Sequence, residues 1–258
     1  MPEFQDNTVH GHEGQEIPMD NHAQNHNQSP QLNEKSASIH GDKVSISSDQ
    51  FESSTSASGI PSWPRWTTAD IAVGAALGVA CGVIFWGFNF AYSAISPILG
   101  EVLPGLASIL HAVWYFSGPL ALLIIRKPGA AIYVNLVGTM AEMLLGNNFS
   151  FGFVIVSAML QGLFSELPFA IARYRKFTHS LAVLAGLLTA LEYGIYLMLF
   201  RYQAVSFFSP RGIVHMISEV VGGVLIAGLL SWALYVAIAK TGALDRFASG
   251  RAIRGTVE

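Results

Sequence analysis

Cysteine is nearly missing from this chain: Cys81 is the single one among 258 residues. No intramolecular disulfide can form, and no CxxC pair is present for metal or redox chemistry. Charge is scarce too. Asp, Glu, Lys and Arg make up 12% of the residues, against about 25% in an ordinary soluble domain. The phosphate-cradling pattern GxxxxGK[ST] is absent, so energy for any ATP-driven step has to come from partners. HExxH is absent as well, and no nucleophile stands beside an obvious base. No basic stretch followed by a short apolar run opens the chain, so a signal peptide is not expected. The two halves lack the internal similarity that inverted transporter repeats would leave.

What is present divides into two parts. Residues 1–65 are rich in His, Gln, Asn, Ser, Asp and Glu, with almost no apolar pattern. Such a stretch buries too little apolar surface to offset the entropy of ordering it, so a disordered cytoplasmic tail is expected. His10, His12, His22, His26 and His40 could bind a metal in principle. Their irregular spacing, without cysteines, reads instead as a solvated tail, and no metal or other cofactor is expected. From Trp66 onward charges thin out, and a mean hydropathy of +0.44 over the whole chain points to a lipid bilayer as the solvent of this part.

Apolar runs near 68–94, 104–125, 129–146, 151–172, 179–200 and 213–239 approach or exceed the ~20 residues that cross a membrane. Each must be helical, because lipid cannot satisfy free backbone polar groups. The expected fold is therefore an all-α membrane protein: six transmembrane helices in one compact bundle over residues 66–244, with a short basic tail over 245–258. The third run is short. Arg65, Arg126, Lys127, Arg173, Arg175, Lys176, Lys240, Arg246, Arg251 and Arg254 fall on one side, and Arg201 and Arg211 on the other. Short-loop cations mark the cytoplasm, so both termini are expected there, in a multi-pass protein of the cell membrane. No nucleic-acid partner is expected.

Polar groups interrupt the apolar runs at helical spacing. Asn135, Thr139 and Glu142 share one face of the third span. The sixth offers His215, Ser218 and Glu219; the fifth, Thr189, Glu192, Tyr193 and Tyr196; the second, His111, Trp114 and Tyr115. Gln161 lies on the fourth, Asn89 and Tyr92 on the first, and Asn147 in the loop after the third. A charge at the bilayer centre costs ~2.5–3.5 kcal/mol. Glu142, Glu192 and Glu219 are thus expected to share one outward-opening cavity, in preference to acting as hydrogen-bonded packing glue. Glu166 sits toward the cytoplasmic end, on one face with Arg173, where a structural pairing is favoured over ligand contact. The aromatic rings could stack on a flat, cationic heterocycle, and carboxyl and amide groups could read its amino-substituted edge.

The first span carries two ladders of small residues, Ala72, Ala76, Ala80 and Gly74, Gly78, Gly82. Such spacing lets helix backbones approach closely, either inside the chain or against a second transmembrane subunit.

The segments "VWYFSGPLALLIIRKPGAA", "AEMLLGN" and "QGLFSELPF" resemble the YkoE-type family: S components (substrate-binding subunits) of energy-coupling factor (ECF) transporters for thiamine and its hydroxymethylpyrimidine precursor. The resemblance spans roughly Trp66 to Leu244. It implies a six-helix vitamin-capture subunit without enzymatic activity. Its first helix would meet a transmembrane coupling (T) subunit driven by a pair of ABC ATPases. Trp114, Glu142, Asn147, Gln161 and Glu166 fall within the matching blocks; the other ligand candidates rest on stripe and depth. A proton-coupled secondary transporter and an intramembrane enzyme using Glu142, Glu192, Glu219 and His215 remain the alternatives.

Overall fold

The computed structural model describes residues 65–146 and 149–254. The tail up to residue 64, Asn147, Asn148 and residues 255–258 lie outside that description. Among the described residues the chain is all helical, without strands. Six helices follow in order: α1 (Thr68–Val102), α2 (Leu106–Ile125), α3 (Ala130–Leu145), α4 (Phe151–Ile171), α5 (His179–Phe200) and α6 (Pro210–Lys240). A short α7 (Ala248–Arg254) ends the described chain.

Each start has a local cause. Thr67 caps α1 in a capping box: its hydroxyl accepts from the Asp70 amide, and the Asp70 carboxylate accepts from the Thr67 amide. Asp70 also pairs with Lys127 in the α2–α3 turn, where the Trp66 indole donates to the Pro128 carbonyl at 2.9 Å. Thr178 and Ser209 cap α5 and α6. Helix α1 runs eight residues beyond the expected end, through Pro97. Proline removes one backbone donor and bends a helix, but the flanking hydrogen bonds survive.

Helix α2 is the axis of the bundle. It begins as a tight 3-10 turn over Leu106–His111, and every residue of Ser117–Ile125 is buried. A helix that is apolar all round belongs in the interior, and here α1, α3, α4, α5 and α6 surround it. Helix α3 has 16 residues, or about 24 Å at 1.5 Å per residue, so it is shorter than the ~30 Å hydrocarbon core.

The two ladders of α1 separate. Gly74, Gly78 and Gly82 face inward on α3: a Cβ there would come within 2.7 Å of Tyr133, 2.7 Å of Val137 and 2.5 Å of the Gly138 carbonyl. They cannot form the docking face expected for them, because α3 already occupies it. Ala72, Ala76 and Ala80 point away from the bundle and are exposed. On the opposite side, Gly186 of α5 meets Gly223 of α6 backbone to backbone; a Cβ on Gly186 would lie 2.2 Å from the Gly223 carbonyl. From Gly223 to Leu230 the helix widens into π geometry.

The residues expected as a C-terminal tail include α7, which docks on α6. The Tyr235 hydroxyl donates to the Ser249 carbonyl at 2.7 Å and accepts from the Arg126 guanidinium at 2.9 Å.

Candidate functional site

At the end of the bundle that carries Arg201, the helices splay around a cavity of about 150 Å3. Helix α1 supplies Phe85, Asn89 and Tyr92, α2 supplies His111 and Trp114, and α3 supplies Thr139 and Glu142. Ser157 and Gln161 come from α4, Tyr193 from α5, and Arg201 and Tyr202 from the turn after it. The shortness of α3 shapes the opening, since Glu142 lies in its last turn and the chain leaves at Gly146 (φ 119°).

The carboxylate at this site is held in place. Asn89 Nδ2 donates to Glu142 Oε1 at 2.7 Å, and Trp114 lines the cavity beside the same carboxylate. Trp114 stands edge-on to Phe88 and Tyr92, with ring centroids 5.1 and 5.2 Å apart. Across the cavity, Gln161 Nε2 donates to Ser157 Oγ at 2.8 Å. Acidic, amide and aromatic groups therefore converge on one small space.

Behind this lining lies a second polar layer. His111 Nε2 is 2.9 Å from the Tyr92 hydroxyl, and its Nδ1 pairs with Glu219 on α6. The Tyr115 hydroxyl donates to the other Glu219 oxygen at 3.2 Å. His111 thus bridges Glu219 and Tyr92, so Glu219 sets the orientation of two groups that do face the cavity.

Six candidates thus line one cavity: Asn89, His111, Trp114, Glu142, Gln161 and Tyr193. Others do not reach it. Glu219 is fully buried behind His111, and Tyr115 behind Glu219. Glu192 is buried on α5, and neither of its oxygens has a hydrogen-bond partner among the described residues. The expected single chamber for three glutamates is therefore corrected to one lining carboxylate, Glu142, and two set back. His215 turns away, held by Ser108 and by the Gly194 carbonyl. Tyr196 stacks parallel to Tyr193 at 6.4 Å and donates to the Phe153 carbonyl. Glu166 is at the opposite end, where its oxygens accept from the Gly129 and Ala131 amides and the Tyr174 hydroxyl. It caps α3, and no bond joins it to Arg173.

Sequence reasoning missed several lining residues. Phe149, between α3 and α4, and Phe153, in the first turn of α4, stack at 6.0 Å along the rim. Arg201 carried a signal, read only as a marker of membrane orientation; Tyr202 beside it went unread.

Residues 69–192 match the family model described as "ABC-type cobalt transport system, permease component". Among the described residues no group of three or more His, Cys, Asp or Glu side chains is placed to hold a metal ion. The chain is 28% identical over 191 residues to the Bacillus subtilis (strain 168) protein named "Putative HMP/thiamine permease protein YkoE"; the match covers 73% of this chain and 92% of that one. A solved structure described as an S-component of an ECF transporter superposes with a TM-score of 0.66 at 25% identity, covering 74% of this chain and 95% of that one. The chain is a homologue of YkoE and is similar in structure to an ECF transporter S component. As such a homologue it is a multi-pass membrane protein, with five helices long and apolar enough to cross a bilayer and the shorter apolar α3 beside them.

Proposed function

We propose that this S-component homologue captures a small amino-substituted heteroaromatic ring, hydroxymethylpyrimidine or thiamine, from outside the cell. The lining carboxylate carries the reading: Glu142 is fixed by Asn89 beside Trp114 at the mouth of a ring-sized, aromatic-walled cavity. An aminopyrimidine presents an exocyclic amine next to a ring nitrogen. Glu142 accepts from the amine, and Gln161, its NH2 turned to Ser157, offers its carbonyl oxygen. Trp114, Tyr92 and Tyr193 enclose the ring faces, and a thiazolium gains from the same aromatic surfaces. Asn147, which follows α3 in sequence and lies outside the described residues, is proposed as a further ligand contact.

Both termini lie in the cytoplasm, on the side of Arg126, Lys127, Arg173, Arg175 and Lys176, where short-loop cations concentrate. The cavity then opens outward. Release inward requires partners, a T subunit and two ABC ATPases, and the exposed face of Ala72, Ala76 and Ala80 is the surface that meets the T subunit. The chain itself makes and breaks no bond.

Isothermal titration of the purified protein with hydroxymethylpyrimidine, thiamine and the isolated thiazole tests this. Saturable binding of the pyrimidine-bearing compounds is expected. Binding of none of them, or of the thiazole alone, rules the reading out.

A further inference from the structure

A second cavity of about 440 Å3 opens beside the first. Tyr92 and Tyr202 line both, so their side chains form the shared wall. The charge on the two sides of that wall differs. The first carries the carboxylate Glu142 together with Arg201 on its rim. The second is lined by Arg211 and His215 and by no Asp or Glu.

The Arg211 guanidinium lies over the Tyr202 ring, 5.8 Å from its centroid. Arg201 lines the first cavity together with Tyr202. Among the described residues neither arginine is ion-paired with a carboxylate. Tyr202 therefore separates two exposed cations, Arg201 in the lining of the first cavity and Arg211 in that of the second. A guanidinium offers planar, forked donors that match phosphate or carboxylate oxygens.

We infer that the second cavity is an anion-accepting subsite for an oxyanion, a phosphate above all, carried on the tail of the ring held in the first cavity, with Arg211 selecting it. The inference rests on the ring-capture reading above. The site as a whole is then dipolar: an acid reads the amino edge of the ring, and past the tyrosine wall a cation reads the substituent. Hydroxymethylpyrimidine carries its hydroxymethyl group as such a tail, so its phosphate ester is the natural probe.

The experiment titrates the purified full chain, in lipid nanodiscs at low salt, with hydroxymethylpyrimidine, its phosphate ester and inorganic phosphate. Wild type is compared with Arg211→Gln and Arg211→Lys. The ester is expected to lose about tenfold in affinity in Arg211→Gln, the size of one charge-assisted interaction, and to recover part of it in Arg211→Lys. The unphosphorylated ring should bind all three proteins alike. An ester that wild type does not bind while it binds the free alcohol, or an ester affinity indifferent to Arg211, overturns the subsite. Should neither pyrimidine bind, the ring-capture reading fails, and inorganic phosphate tests the second cavity by itself. An Arg211-dependent rise in melting temperature upholds an anion site there, and no rise removes it.

Discussion

Asn89 on α1 and Glu142 on α3 are joined by a hydrogen bond of 2.7 Å at the lip of the cavity. This bond crosses the α1–α3 pair, where Gly78 and Gly82 let the two backbones approach. The acid is therefore positioned by rigid elements before any ligand arrives, which limits the ordering cost of binding.

Glu142→Gln keeps the shape of the side chain and removes its charge. Affinity for hydroxymethylpyrimidine should fall about 10- to 100-fold, the worth of hydrogen bonds to a charged group, while the apo melting temperature barely moves. Calorimetry and a thermal scan on the same preparation check both halves.

Glu219 acts through His111 and Tyr115 and does not face the cavity. Glu219→Leu should therefore lower stability by about 2 kcal/mol by leaving buried partners unsatisfied, as well as weakening ligand binding. Glu142→Gln should show the second effect without the first. Equal stability of the Glu219 variant and wild type in denaturant titration would contradict this layering.

The two ladders of α1 give opposite outcomes. Gly78→Leu forces a side chain into Val137, where a Cβ alone would stand at 2.7 Å, and overpacking of this kind costs about 1–3 kcal/mol or more. Ala76→Leu adds bulk on an exposed face; it should leave folding and ligand affinity intact and reduce co-purification of the T subunit. Assembly unaffected by Ala76→Leu would remove that face from the interface.

Much of the fold was legible because a bilayer imposes a hard rule. Backbone polar groups must be satisfied inside each span, so a run of apolar residues reads directly as a helix. The 16-residue α3 stood out for the same reason. The extension of α1 past residue 94, through Pro97, left no pattern, nor did the π stretch over Gly223–Leu230, which answers to the close approach of Gly186. The ladders show the limit of spacing arguments. Residues four apart mark a stripe, yet only the packed neighbours decide that the glycine stripe meets α3 and the alanine stripe meets the surroundings.

The site was legible to the same depth. Glu142, Trp114 and Gln161 project from different helices into one cavity, as their stripes suggested. Glu192 and Glu219 lie at similar depth but are rotated behind it, and helical spacing fixes depth better than it fixes which of two adjacent faces points inward.

Glu166→Ala removes the cap from the first amides of α3. A loss of about 1–3 kcal/mol is expected, with ligand affinity nearly unchanged because the residue sits at the far end of the bundle. A large change in affinity at constant stability would instead put Glu166 in the site.

The most direct test is calorimetric titration of hydroxymethylpyrimidine into the purified full chain and into Glu142→Ala. One saturable site per chain in wild type, weakened at least about tenfold by the substitution, is the expected result. Equal affinity in both proteins, or no binding to wild type, would contradict ring capture by the cavity that Asn89, Trp114 and Glu142 frame.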